Sequence, residues 1–506
     1  MIRPMNKIIR KYDEYVVASR GCKETLPENV REDLNIDNLF EALDYTSSAV
    51  GRQYFYHLLC TDKVSTVASH EQLVQKLKED IALRRRLTAL LGKLENPYAY
   101  SIVDLLSEKP HEYSRRYLTI LQICRWLPLL FFVATLIVKT SPIPFFCLIV
   151  SYLFNGLLHF KQKNLLSCYF YSIPQLYKLM TVFYALKEEP AFAAIKGEMK
   201  EPEQLHKLYR NLEKFRFGIA LESESAMAVY MITELINIFT LHATINIVHS
   251  FTAIQFLKKE VGQVFSFVGY LDVLHSICTL RENVPYFCHP TATGKEEKLN
   301  TLSVYHPLIS NCVGNDLILT DKSVLITGSN MSGKTSFMRT IAINLLTGKT
   351  INTCFAHGFS IDTDMKVYSV ICTKDDLLEG KSYFFKEAEN VKRALEESEK
   401  GNRLIILDEL FKGTNTTERI AINATLLSML SQNGNIIFAS THDLKLAELL
   451  KGKYEFYHFC ETIVNDKLTF DHKLHPNICK EGNAIRILGL CGYPPEFIHD
   501  AYEFAK

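Results

Sequence analysis

Residues 328–335 read Gly328-Ser329-Asn330-Met331-Ser332-Gly333-Lys334-Thr335, between an apolar run, Ser323-Val-Leu-Ile-Thr327, and a helix-forming stretch that opens at Ser336. Glycines at this spacing let backbone N–H groups close around phosphate oxygens. The N-terminus of the following helix adds partial positive charge, and Lys334 can reach the β and γ oxygens. Thr335 then stands where a hydroxyl would hold Mg²⁺. A second apolar run, Arg403-Leu-Ile-Ile-Leu, ends in Asp408-Glu409, the pair of carboxylates that the far side of a metal–nucleotide site requires. Asp408 would act on the metal through water, and Glu409 would orient or deprotonate the attacking water. A third run, Ile436-Ile-Phe-Ala-Ser440, ends in Thr441-His442-Asp443, with His442 placed to sense the γ-phosphate. Three strand ends thus converge on one nucleoside triphosphate.

The loop, with Asn330-Met331 inside it, resembles that of the MutS-family ATPase domain rather than those of transporters, helicases or small GTPases. Further motifs occur in the family's order. Tyr305-His306-Pro307-Leu308 with Gly314-Asn315-Asp316 looks like the segment that opens the domain, and Gly380-Lys-Ser382 through Glu387 looks like its signature segment. Leu407-Asp-Glu-Leu-Phe-Lys-Gly413-Thr414 is similar to the Asp-Glu run, Ser440-Thr-His442 to the histidine switch, and Cys491-Gly-Tyr-Pro-Pro-Glu-Phe-Ile498 to the closing segment. The resemblance implies ATP and Mg²⁺ as ligands, with residues 328–336 around the phosphates, Thr335 and Asp408 on the metal, and Lys334, Glu409 and His442 in the chemistry. It also implies a homodimer through the ATPase domains, in which Ser382 and Glu387 reach the partner's nucleotide.

The elements that must position these groups make the fold α plus α/β. A helical core over residues 1–115, an apolar helical hairpin over 116–163 and a helical lever over 164–288 precede a P-loop, ABC-type α/β domain over 296–506. Leu34 to Thr46 and Gly51 to Leu59 look like the start of the MutS core region. About 33 residues precede them, so an N-terminal mismatch-reading domain is not expected, and neither are a DNA clamp, a C-terminal helix-turn-helix or a nuclease tail. Tyr305 stands where the family usually has arginine. Within the helical part, Asp62 to Thr66 reads as a break, Glu71 to Leu91 as one charged amphipathic helix, and Ala226 to Leu257 as a lever core helix facing the ATPase domain.

From Trp126 to Phe160 the only Lys, Arg, Asp or Glu is Lys139. Tyr117 to Val138 and Thr140 to Leu158 are each long enough to cross a bilayer, with Lys139-Thr-Ser-Pro142 as the turn. Arg115, Arg116, Arg125, Lys161 and Lys163 on the flanks place both ends, and the ATPase domain, in the cytoplasm. The competing reading is a soluble DNA-binding repair or recombination module that uses the apolar hairpin as core; a transporter-type ATPase is disfavoured because the segment at Ser382 lacks the glycine-rich form. DNA, a membrane and an unidentified protein are the expected partners. The chain has 506 residues, 47% hydrophobic, with net charge +1, so no overall basic surface advertises duplex DNA. Arg84-Arg85-Arg86 is the one basic triplet weighed for that role. The 13 cysteines show no Cys-x-x-Cys spacing, which argues against a disulfide framework or a zinc site and for a reducing compartment.

Overall fold

The computed structural model describes residues 7–20, 25–107, 115–138, 140–165, 172–196, 202–213, 232, 234–294, 297–329, 332–371, 383–464, 467–478, 485, 488 and 492–504. It is helical up to Asn283 and mixed α/β from Leu299 onwards.

The α/β part holds two main sheets. Strands β1 (Leu299–Val304), β2 (Asn315–Leu319) and β4 (Gly358–Ile361) form an antiparallel sheet in the order β2-β1-β4. The six-stranded sheet takes β3 (Ser323–Thr327), β5 (Lys366–Val370), β6 (Arg403–Asp408), β7 (Ile436–Ser440), β8 (Tyr454–His458) and β11 (His475–Pro476) in the order β11-β8-β3-β7-β6-β5. All its pairings are parallel except β11 with β8. Its central strands β3 and β7 are buried at every residue, which explains why their sequences are uninterrupted apolar runs instead of alternating ones. A hairpin, β9 (Glu461–Val464) with β10 (Lys467–Phe470), stands beside it.

In the helical part, Phe40, Phe55, Tyr56 and Phe265 are fully buried, and one continuous apolar core runs from Ile9 through to Phe459. The 26-residue helix Lys258–Asn283 lies at its centre. It packs along Ala49–Leu59 so closely that a Cβ on Gly51 would lie 2.0 Å from Asp272 Oδ2. Asp272 itself accepts the Ser47 N–H at 2.8 Å and the Ser48 hydroxyl at 2.5 Å.

Two expectations change here. Glu71 to Leu91 is two helices, Glu71–Glu79 and Ile81–Leu91, because Asp80 leaves helical geometry and caps the second one through Leu83 N at 2.9 Å. Ala226 to Leu257 is likewise not one helix. Leu241 turns the chain at φ 50°, and His242–Phe256 packs against the apolar hairpin and the helix Glu203–Glu213. The α/β part is met by other helices: Glu28–Asp33 packs on β5, Ala49–Leu59 on Lys334–Ile351, and Lys258–Asn283 reaches it through Arg281.

The apolar pair forms helices Arg115–Ile137 and Ile143–Leu165, packed against each other. Where they meet His242–Phe256 they share a small core of their own, including Leu121, Ile245 and Val248. Their outer faces are bare: Trp126, Leu130, Leu136, Ile137, Phe146, Leu153 and Leu157 are exposed.

Candidate functional site

The loop after β3 needs glycine at two places. Gly328 lies at φ 130° and Gly333 at φ 115°, and a Cβ on Gly328 would sit 2.3 Å from the Phe459 carbonyl oxygen. Asn330 and Met331 lie outside the described residues, as does Ser382. Lys334 begins the helix Lys334–Ile351 and its ammonium is enclosed, 2% exposed. It donates to the Gly328 carbonyl at 2.6 Å and the Ser329 carbonyl at 2.9 Å, and it lies 3.1 Å from Glu409 Oε1. Ser332 hydroxyl closes the loop onto the Ser329 carbonyl at 2.7 Å. Ser336 follows Thr335 in the first turn of the same helix.

The parallel sheet brings the carboxylates to this loop. Asp408, the last residue of β6, accepts the Thr335 hydroxyl at 2.7 Å on Oδ2 and the Ser440 hydroxyl on Oδ1. Glu409 follows at φ 47°, a backbone region that costs a non-glycine residue roughly 1–3 kcal/mol, held there by its N–H on Ser440 Oγ at 3.1 Å. Its carboxylate meets Lys334, Lys412 Nζ at 2.5 Å and His442 Nε2 at 2.6 Å. Burial works against its ionisation, but the hydrogen bonds from His442 and Lys412 and the charge of Lys334 outweigh it and hold the carboxyl well below the usual range. Burial in turn pushes the Lys334 ammonium down, against the opposing pull of Glu409 and Asp408. Arg419 braces the turn carrying His442 through a two-pronged pair with Asp443, both contacts 3.0 Å.

Lys334, Thr335, Asp408, Glu409 and His442 are therefore brought together. Glu387 is elsewhere: it is buried, and its Oε1 accepts the Phe411 N–H at 2.9 Å within its own chain. A side chain so placed braces the turn after β6 and does not project from the molecule. Tyr305 is also structural, buried, with its hydroxyl on the Tyr286 carbonyl at 3.0 Å. Arg84 is tied to Glu282 and Thr279 on the helix Lys258–Asn283, and the exposed Arg86 lies 3.5 Å from Glu189.

Four contributors carry no assigned role in the sequence reading. Lys412 could have been read three residues beyond Glu409. Ser440 was seen only as part of a motif, and Glu461, which takes the Ser329 hydroxyl, and His472, whose Nδ1 lies 3.2 Å from the Ser332 carbonyl, arrive through β8 pairing with β3. Asn315 fixes that last segment, donating to the His472 carbonyl at 3.1 Å and accepting the Leu474 N–H at 2.8 Å.

Residues 324–506 match the family description MutS domain V. Over this part the chain is similar to the MutS family. It is 28% identical over 256 residues to a DNA mismatch repair protein MutS of Natronomonas pharaonis, covering 48% of this chain and 29% of that one. It is 27% identical over 266 residues to the protein of that name from Lactobacillus johnsonii, covering 50% and 30%, and 28% over 208 residues to one from Thermus thermophilus, covering 40% and 26%. The chain thus spans under a third of the length of these relatives.

Proposed function

We propose that this MutS-like chain is a dimeric ATP-binding and ATP-hydrolysing switch held at a membrane by its apolar hairpin. The observation that carries the nucleotide half is the convergence of Lys334, Thr335, Asp408, Glu409 and His442 at the carboxyl ends of β3, β6 and β7, where parallel sheets of this kind bind ligands. The groups fit the ligands. The two left-handed glycines open a cradle of backbone amides, and the Thr335 hydroxyl already pairs with the Asp408 carboxylate, the hard oxygen donors that Mg²⁺ takes. Mg²⁺ there would neutralise charge on the phosphate oxygens.

The chain's own residues do the rest. Lys334 exchanges the loop carbonyls and Glu409 for the triphosphate, which frees Glu409 to accept a proton from the attacking water, while His442 reports the change along β7. Two chains meet through their ATPase domains in this reading, with Ser382 contributed across the interface and Glu387 supporting the turn beside Glu409.

The membrane half rests on two helices, Arg116–Ile137 and Ile143–Gln162, long and apolar enough to cross a bilayer and mostly exposed. With Arg116 and Lys161 at one end, that end and the ATPase domain face the cytoplasm. DNA as a partner is supported by the similarity to DNA mismatch repair proteins. The test is steady-state ATP turnover of the detergent-purified chain with and without mismatched, branched and perfect duplex DNA, with Lys334→Ala as the blank. Turnover above the blank is expected; none would remove the ATPase reading. Modulation by one DNA structure would assign a nucleic-acid partner, and indifference to all would assign the output to a protein.

A further inference from the structure

On the far side of the phosphate loop lies a group of side chains that the nucleotide chemistry does not use. Cys460 stands between β8 and β9, and Asp471 and His475 flank the turn from β10 into β11. One ligand-capable atom from each, the Cys460 sulfur, an Asp471 carboxylate oxygen and a His475 ring nitrogen, lies within 4.8 Å of the other two. His475 Nε2 is 2.8 Å from Asp471 Oδ2, and Cys460 and His475 are half-buried. The His458 ring lies over that of His475, centroids 5.4 Å apart, and is anchored by Nδ1 on the Asn477 carbonyl at 3.0 Å.

We propose that Cys460, Asp471 and His475 form a zinc site that locks the β8–β9 junction against the phosphate loop. A thiolate, an imidazole and a carboxylate are a borderline-soft donor set. It suits Zn²⁺ and disfavours Mg²⁺ or Ca²⁺, and three protein ligands leave a fourth position for water or for His458. Tetrahedral zinc with bonds of roughly 2.0–2.3 Å spaces its ligands roughly 3.3–3.8 Å apart, so the present group needs shifts of under about 1.5 Å to close on the ion. The absence of Cys-x-x-Cys spacing hid the site, because its ligands come from two segments that meet only when β11 pairs with β8.

The position gives the ion something to control. Phe459, adjoining Cys460, puts its carbonyl against Gly328 and its ring against Phe337, and its N–H bonds the Thr327 carbonyl at 3.1 Å. Glu461, on the other side, takes the Ser329 hydroxyl. His472, next to Asp471, touches the Ser332 carbonyl. Every ligand segment therefore also touches the phosphate loop, and a bound zinc ion would stiffen both supports at once.

Zinc counting tests the site without nucleotide, so its outcome is separable from that of the ATPase reading. The full chain, purified in detergent and stripped with a chelator, is titrated with Zn²⁺ against a chromophoric competitor at neutral pH. One ion per chain is expected. Cys460→Ser and His475→Ala should each weaken binding on the order of tenfold or more, while Asp408→Asn, at the nucleotide metal position, leaves the stoichiometry unchanged. With Co²⁺ in place of zinc, the wild type should show a near-ultraviolet thiolate-to-metal band that Cys460→Ser lacks, a readout that loss of folding in one variant cannot imitate if Asp471→Asn keeps the band. No ion retained, or equal binding by the Cys460→Ser and His475→Ala variants, overturns the site. Zinc bound without any change in nucleotide affinity overturns the lock.

Discussion

Glu409 holds its carboxylate among three nitrogen donors, Lys334, Lys412 and His442, while its backbone sits at φ 47°. Removing only its charge should separate binding from chemistry. Glu409→Gln is expected to bind a non-hydrolysable ATP analogue as tightly as wild type or several-fold tighter, because Lys334 then gives up a weaker partner and a repulsion with the γ-phosphate disappears. Turnover should fall by about 10²–10⁴-fold, the usual contribution of a general base. Equilibrium titration and steady-state turnover check the two halves, and wild-type turnover in the variant would remove Glu409 from the chemistry. Gly328→Ala should fail differently, losing nucleotide binding and lowering the melting temperature, since its Cβ cannot share space with the Phe459 carbonyl. At this scale most of the site was legible. Lys334, Thr335, Asp408, Glu409 and His442 sit in contiguous motifs whose chemistry follows from residue type. Glu461 and His472 were not legible, because nothing near them in sequence says that β8 will lie beside β3.

Element boundaries were legible where local chemistry marks them. Strands β3, β6 and β7 are apolar runs bounded by glycine or carboxylate, and Asp62 to Thr66 breaks the helices as the sequence suggests. Leu241 was not, since a leucine at φ 50° is imposed by packing between the hairpin and the core, with no glycine to announce it. The Gly51 to Asp272 contact belongs to this scale as well. Burial pushes the Asp272 carboxyl up to about 7, although the Ser47 N–H and the Ser48 hydroxyl favour its charged form. In the unfolded chain the same group titrates near 4, so between about pH 4 and pH 7 the folded state holds a proton that the unfolded state has lost. This contribution to stability is therefore full below pH 4 and declines as pH rises to 7. Asp272→Asn, which keeps an acceptor for the Ser47 N–H, should flatten that decline in denaturant midpoints measured across the range. A slope identical to wild type would show that Asp272 is ionised throughout.

One place where the two halves of the molecule meet is the far end of the helix Lys334–Ile351; another is Glu28–Asp33 against β5. Lys349 Nζ reaches Asp62 Oδ1 and the Met365 carbonyl, each at 2.7 Å, in a fully enclosed setting, and Ser65 donates its N–H to the Lys349 carbonyl at 2.8 Å. Arg281 adds Glu71, Thr353 and the Asn352 carbonyl. The helix Lys334–Ile351 thus joins the Lys334 end of the site to the helical half. Asp62→Ala strands a buried ammonium and should cost about 3–5 kcal/mol, whereas the pair Asp62→Leu with Lys349→Met should recover most of it. A double-mutant cycle in chemical denaturation measures the difference, and additive losses would mean the two side chains are not coupled. The helical half must in turn transmit to the apolar hairpin, whose outer face no part of the described chain covers. Leu130, Leu136, Phe146 and Leu153 each present large apolar surface to whatever surrounds them, at about 25 cal/mol per Å² if that is water. A bilayer relieves that penalty, so the wild-type chain should stay in the pellet after carbonate extraction. Leu130→Arg with Leu153→Arg, placed within the two spans, should shift it to the soluble fraction, a charge at mid-bilayer costing about 2.5–3.5 kcal/mol. Full extraction of the wild type would instead make the hairpin a docking face between proteins.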